Sequence, residues 1–392
     1  MSADSKNVNL RVIKNIRDLE ITGKKLFLRL DLNVPLSGPD EAGTRHVEDD
    51  SRITEALPTI RYAIEKGAKI ILASHLGRPK GKKNLDYSLE PVAQYLAHLL
   101  NQEVTLADDC VGEGIELMAQ GLKNSQIMML ENLRFHAEEE TNDQSFSHKL
   151  ASLCEVYVTD AFGTAHRKHA STYGLPILAP NKGMGFLIEK ELKFLDPLLN
   201  QPVKPYFAIL GGSKVSDKIK TIEVLLRDLN GLLIGGAMAY AFMEAKGLGL
   251  PKNAKKPASE DIQAAKLILD SAKRKDLPVL LPIDTLDSFD IGPKTIEIFN
   301  EFLTPAKTIF WNGPLGWFEK EEYSKGTFAI AKHLSEMKCL KVVGGGDTVA
   351  AIKQSGFSES FDHLSTGGGA VLEYLEGYSL PGIEVLKGIS TR

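Results

Sequence analysis

The sequence predicts an α/β protein built as two domains, each around a parallel sheet covered by helices on both faces. Short β-branched and leucine-rich runs alternate with amphipathic helical stretches along the whole 392-residue chain. That strand, crossover helix, strand rhythm is the signature of parallel sheets. The length exceeds what one hydrophobic core usually organises. A cluster of turn formers, Pro176, Pro180, Gly183 and Gly185, breaks the rhythm near mid-chain, between Leu175 and Phe186.

In the first half the strand candidates include 25–33, 69–74, 127–131 and 156–160. In the second half they include 206–210, 231–234, 279–283, 307–311 and 340–343. Helical patterns lie between them at 54–66, 89–100, 218–229, 237–246, 259–275 and 325–336. The pattern from Ile188 to Leu199 is favoured as a helix joining the halves over an ordinary surface helix. Composition is that of an ordinary globular protein, 43% hydrophobic and 25% charged. With a net charge of −4, neither a nucleic-acid nor a membrane surface is expected, and any anion site must be local. Cys110, Cys154 and Cys339 form no CxxC or Cys/His cluster along the chain, so neither disulfides nor structural zinc is expected. The polar stretch from Met1 to Asn9 has no apolar signal core. Leu232 to Met243 is too short and glycine-rich to cross a bilayer. The expected location is the cytoplasm.

Open parallel sheets bind ligands beyond the carboxyl ends of their strands. In strand 25–33, Leu26, Leu28, Leu30 and Leu32 take one face, while Arg29, Asp31 and Asn33 share the other with Phe27. Parallel strands are usually apolar on both faces, so this polar face calls for a ligand or for an Arg29–Asp31 ion-pair network. The next strands run into Ser74-His75-Leu76-Gly77-Arg78, Asn132-Leu133-Arg134-Phe135-His136 and Asp160-Ala161-Phe162-Gly163-Thr164-Ala165-His166-Arg167. Arg52 stands where helix 54–66 begins. A single such arginine is usually a solvated charge. Four of them, with histidines beside three, point to a pocket for a small ligand carrying phosphate and carboxylate, groups that the guanidinium fork binds in bidentate fashion. A catalytic-triad reading of the histidines fails for want of a serine or cysteine elbow.

The second half holds glycine turns instead. Gly211-Gly212-Ser213-Lys214 follows strand 206–210; Gly344-Gly345-Gly346-Asp347-Thr348 and Thr366-Gly367-Gly368-Gly369 come later, each before a helical run. Glycine admits close backbone approach, and helix N-termini attract anions, so these turns suit a polyphosphate. The Walker pattern and Gly-x-Gly-x-x-Gly are both absent, which disfavours a dehydrogenase. Lys218, four residues after Lys214, shares its helical face, and that pair taken alone is more often solvated surface. Gly235-Gly236 follows strand 231–234. The stretch 308–319, apolar and ended by Glu319, reads as a wall for adenine with a ribose partner, or as a rigid turn. Asp347 suits Mg²⁺, which uses one or two carboxylates with phosphate oxygens and water.

These motifs together resemble the phosphoglycerate kinase family from end to end. The matching segments are Arg29-Leu-Asp-Leu-Asn-Val-Pro35, Ser74-His-Leu-Gly-Arg-Pro79, Leu130-Glu-Asn-Leu-Arg-Phe135, Asp160 to Arg167, Leu210-Gly-Gly-Ser-Lys-Val-Ser-Asp-Lys218, Trp311-Asn-Gly-Pro314, Gly344 to Thr348, and Ser365-Thr-Gly-Gly-Gly369. The resemblance implies two Rossmann-like three-layer domains with parallel sheets joined by a hinge helix. Residues 1–185 would bind the triose, with 379–392 packing back on them, and 186–378 would bind the nucleotide. The implied reaction moves a phosphoryl group reversibly between ATP and the carboxylate of 3-phosphoglycerate, giving ADP and 1,3-bisphosphoglycerate, with Mg²⁺, in a glycolytic monomer.

By position, Asp31, Asn33, Arg52, His75, Arg78, Arg134 and Arg167 correspond to triose-binding residues. Gly212, Lys214, Lys218, Gly236, Gly292, Asn312, Glu319, Gly345, Gly346, Asp347 and Thr348 correspond to the nucleotide site, with Asp347 at the metal and Arg52 and Lys214 as the catalytic pair. Their presence argues against a binding protein that has lost transfer activity. Trp317 replaces a usually small apolar residue, Thr159 a common asparagine, and the loop from Ser37 to Asp50 is long and acidic for its position.

Overall fold

The computed structural model describes residues 13–387. Residues 1–12 and 388–392, the ends of two of the expected spans, lie outside the described residues. The described residues form two units, one covering 13–192 with 379–387, the other Lys193–Tyr378.

The first unit holds six strands: β1 (Lys25–Arg29), β2 (Lys69–Ala73), β3 (Val104–Leu106), β4 (Ile127–Met129), β5 (Val156–Thr159) and β6 (Lys182–Met184). They form one parallel sheet in the order β3-β4-β2-β1-β5-β6. Period-two alternation places Leu26, Leu28, Ile70, Leu72, Val156 and Val158 in one core, with Ile53, Ile60, Val92 and Leu96 of helices Ser51–Glu65 and Glu90–Leu100. Phe27, Ile71, Met128 and Tyr157 are buried on the alternate positions, and the Phe27 and Tyr157 rings stack at 6.1 Å. A sheet buried on both faces is what the sequence rhythm predicts.

The long strand expected over 25–33 stops at Arg29. Leu30 and Leu32 still enter the same core, so the alternation was read correctly while the ladder ended early. The turn cluster expected as a boundary contains β6, which pairs with β5. Three residues, one of them glycine, carry too little pattern to read as a strand.

The helix Phe186–Asn200 begins directly after β6, and the contacts divide the chain inside it, between Leu192 and Lys193, rather than at 185–186. Its start is held from the first unit. Buried Asp160 accepts from the Ile188 N–H at 3.0 Å and from the Thr59 hydroxyl at 2.5 Å, and that hydroxyl accepts the Phe186 N–H at 3.0 Å. Burial pushes the Asp160 carboxyl up to about 7. An acid raised in the folded state binds a proton there that the unfolded chain has released. Its ionisation therefore erodes stability as pH rises from about 4 to about 7. Asp160→Asn should flatten that part of the pH–stability curve. Urea unfolding at several pH values checks this, and an unchanged slope would contradict it.

The second unit holds β7 (Tyr206–Leu210), β8 (Gly231–Ile234), β9 (Val279–Leu280), β10 (Thr285–Leu286), β11 (Asp290–Ile291), β12 (Thr308–Asn312), β13 (Leu340–Gly344) and β14 (His363–Leu364). Six of these form a parallel sheet in the order β14-β13-β12-β7-β8-β9, and β10 and β11 make a small antiparallel pair. Phe207, Ile209, Ile309, Trp311 and Val343 share a core with Phe299, Leu303, Ile330, Leu334 and Ile352 from the helices Pro293–Leu303, Lys325–Ser335 and Gly346–Gln354. No helix among the described residues is long and apolar enough to cross a membrane.

Described residues near the C-terminus pack on the first unit: the Gly382 N–H donates to the Ala165 carbonyl at 2.8 Å.

Candidate active site

Strands β2, β1 and β5 are neighbours, so the loops leaving their carboxyl ends converge with the loop after β4. Arg52, in the first turn of helix Ser51–Glu65, reaches Asp31 with NH1 2.7 Å from Oδ1. The Asn33 side-chain oxygen accepts the Gly77 N–H at 2.8 Å. Arg134 NH1 donates to the Gly77 carbonyl at 2.8 Å, and its Nε lies 3.4 Å from Glu140. Arg167 Nε meets His166 Nε2 at 3.2 Å. Arg78 is exposed.

The histidines report how positive this pocket is. Buried His75 titrates well below the usual histidine range, first through burial and then through Arg29, Arg134, Arg52 and Arg167. His169 is pushed down to about 3 by burial, Arg29, Arg134 and Arg167. Burial also lowers Arg134, to about 10. Cations gathered at a cost to one another mark a place prepared for an anion.

The Arg29–Asp31 network entertained from sequence does not form: Asp31 takes Arg52. Arg29 is instead buried, donates from Nε to the Ser171 hydroxyl at 2.9 Å, bonds the Leu30 carbonyl through NH1, and approaches His75 at 3.4 Å. The Ser171 hydroxyl in turn donates to buried Glu139 at 2.5 Å. Alternation placed Arg29 on the polar face. Its side-chain partners His75 and Ser171 are too distant in sequence for any local pattern to reveal.

In the second unit the strand order turns between β7 and β12, the place where open α/β sheets bind ligands. A cleft of about 330 Å³ opens there, lined by Gly212, Lys214, Lys218, Asn312 and the run from Gly345 to Thr348. Gly313, Pro314, Gly368, Gly369 and Leu372 also line it. Of these, the glycine triplet at 367–369 was legible as a turn before a helix. The contribution of Leu372 carried no sequence signal.

Gly345 has φ +93°, and a Cβ there would lie 2.8 Å from Asn312 Nδ2. Gly236, φ +63°, would place a Cβ 2.7 Å from the Gly212 N atom and 3.1 Å from the Pro314 carbonyl oxygen. Only glycine lets these backbones meet. The Thr348 hydroxyl accepts the Gly313 N–H at 2.6 Å, leaving its own hydrogen to donate. Gly236 also lines a recess with Tyr240, Pro282, Phe289 and Leu315.

Lys214 and Lys218 do not share a helical face, because the chain forms no helix at Lys214. It takes a turn of 3-10 helix at Ser216–Lys218 before the helix Ile219–Leu225. Lys214 is exposed. Lys218 folds inward, its Nζ donating to the carbonyls of Gly211 at 2.7 Å and Asn312 at 3.2 Å. Burial pushes it down to about 8, against Asp347 and Asp217, which raise it. Gly292 sits against Asp284, whose carbonyl accepts its N–H at 2.9 Å. Neither Gly292 nor exposed Glu319 lines the cleft.

Asp347 is an exposed carboxylate in the first turn of helix Gly346–Gln354, beside the glycine amides and facing the same cleft. One carboxylate next to a polyphosphate cradle is a donor set that fits Mg²⁺.

A cluster of cations on one sheet and a glycine-lined cleft on another suit a two-site phosphotransferase. A family model described as phosphoglycerate kinase matches residues 16–378. Curated phosphoglycerate kinases from an Anaeromyxobacter species and from Acidobacterium capsulatum are 46% and 48% identical, each covering at least 95% of this chain and 98% of its own. Solved phosphoglycerate kinases from Coxiella burnetii and Pyrococcus horikoshii superpose with TM-scores of 0.85 and 0.83 at 36% and 34% identity, each over 95% of this chain and 98% of the other. The chain belongs to the phosphoglycerate kinase family.

Proposed function

We propose that the two sites divide the reaction of this family between them. That reaction is reversible transfer of a phosphoryl group between ATP and the carboxylate of 3-phosphoglycerate, giving ADP and 1,3-bisphosphoglycerate. The first unit would supply the triose site and the second the nucleotide site, in a cytoplasmic monomer that uses Mg²⁺ with the nucleotide. The observation that carries this reading is the separation of charge types. Arginines surround neutral histidines in one pocket, and glycine backbone lines the other cleft.

In this reading Arg52, Arg78, Arg134 and Arg167 bind the triose anion, with Asp31, Asn33 and His75 also contacting the triose. The acceptor carboxylate is already ionised and needs no general base. The difficulty is bringing several anions together, so the protein contributes position and charge. Arg52 and Lys214 would meet the equatorial oxygens of the transferring group. The amides of Gly345 and Gly346 and the Thr348 hydroxyl would hold the phosphates of the nucleotide, with Gly212 and Gly236 allowing close approach. Asn312 and Lys218, which line the same cleft, would bind the nucleotide with them. Gly292 and Glu319 would act from outside the cleft, toward base and ribose. Asp347 would hold Mg²⁺, which when bound neutralises phosphate charge.

The deciding experiment is a coupled assay. ADP should form from ATP only with both 3-phosphoglycerate and Mg²⁺ present; ADP formation independent of the acid would overturn the reading. Two binding sites on separate units would also require hinge closure that excludes water. Small-angle scattering should therefore show a smaller radius of gyration with both substrates than with either alone. An unchanged radius would count against closure.

Lys218 offers a test by pH. It is charged below about 8 and neutral above. A polyphosphate beside it favours the charged form, so ATP binding should take up a proton at pH 8–9. Calorimetry in buffers of different ionisation enthalpy detects that uptake, and Lys218→Met should abolish it.

A further inference from the structure

Sequence spacing brings no cysteine near a histidine, yet the fold does. Strands β3 and β4 are neighbours, so the loops that follow them run side by side. The loop after β3 carries Asp109 and Cys110; the loop after β4 carries His136. One donor atom from each of these three residues lies within 4.8 Å of the other two. His136 Nε2 is 2.5 Å from Asp109 Oδ1. The Cys110 thiol donates to the Glu131 carbonyl at 2.9 Å, which fixes where its sulfur lies. The His136 ring is held against Phe146 at 4.9 Å. Cys110 is fully buried, whereas the Asp109 side chain is 50% exposed and that of His136 25% exposed. The cluster thus has a closed sulfur floor and an open mouth.

We propose that Asp109, Cys110 and His136 form a zinc site with a fourth position open to solvent. Thiolate, imidazole and carboxylate together are a donor set for zinc, whereas Mg²⁺ prefers oxygen alone. Zinc bonds of about 2.0–2.3 Å place tetrahedral ligand atoms roughly 3.3–3.8 Å apart. The Asp109–His136 hydrogen bond must therefore open by about 1 Å, while the sulfur, within 4.8 Å of both, must close by up to about 1 Å. On binding, the thiol proton leaves to solvent, the His136 ring carries its proton on Nδ1 so that Nε2 is free, Zn–S, Zn–N and Zn–O bonds replace bonds from the ion to water, and no electrons are transferred. Burial and the neighbouring carboxylates of Asp109, Glu139 and Glu131 raise the Cys110 thiol well above its usual range. The thiol must therefore give up its proton to the incoming dication, so zinc binding should weaken as pH falls.

The full chain would be titrated with zinc against a chromophoric chelator and, separately, with Co²⁺ followed by absorbance. The expected results are one equivalent of zinc, a higher unfolding temperature with zinc, and a thiolate-to-cobalt charge-transfer band. Cys110→Ser should abolish the band. His136→Gln should weaken zinc binding at least tenfold; it also tests the site should Cys110→Ser fail to fold. Absence of stoichiometric binding would overturn the proposal. So would a cobalt band that survives in Cys110→Ser, which would trace to Cys154 or Cys339, or unchanged zinc affinity in His136→Gln.

Discussion

Arg52→Ala is expected to lower kcat by roughly 10³-fold or more, with a much smaller change in KM for 3-phosphoglycerate. The structure sharpens the reason. Arg52 lies in the first turn of helix Ser51–Glu65, where the helix dipole disfavours a cation. Its position therefore does not serve the helix. Asp31, 2.7 Å away and nearly buried, steers the guanidinium. Arg52→Lys keeps the charge but loses the planar fork, so it should fall between the wild type and alanine. Removing Arg52 also leaves Asp31 unpaired, which alone could disturb the pocket. The double variant Arg52→Ala/Asp31→Asn separates the two effects: if the loss is catalytic, relieving Asp31 restores little. Near-normal turnover in Arg52→Ala would remove Arg52 from phosphoryl transfer.

Trp311→Ala should cost about 3–5 kcal/mol of stability in the second unit. Trp311 is among the largest fully buried side chains of the protein and belongs to the core of that unit. Its indole Nε1 donates to the Gly313 carbonyl at 2.8 Å, so truncation empties a large volume and strands a buried acceptor. Gly313 lines the cleft and donates its N–H to Thr348, so ATP affinity should fall as well. Chemical denaturation of the wild type and variant, followed by a probe in the second unit, checks the first effect. A loss below about 1 kcal/mol would mean that the core closes over the gap.

The legibility of this protein divides by sequence distance. The parallel sheets were readable because both faces of the central strands are buried and the helices between them are amphipathic. The short strands β3, β6, β9 and β14 were missed or overdrawn, since two or three residues cannot display a period. Candidate ligand residues were readable where glycine, lysine or arginine follows a strand directly. The inward turn of Lys218 was not, because it depends on a 3-10 segment that removes Lys214 from the helix. The Arg29–Ser171–Glu139 chain and the Asp109–Cys110–His136 cluster were equally hidden.

The sequence alone determined the α/β class, the family and the division into an arginine half and a glycine half. Those properties reside in local patterns: periodicity, turn chemistry and residues set one step beyond a strand. Tertiary structure alone decided which arginine Asp31 receives, where Arg29 is spent, how the connecting helix is anchored to Asp160, and that a cysteine and a histidine share a corner. These depend on strand order, and strand order follows from burying many side chains at once rather than from any short stretch of chain.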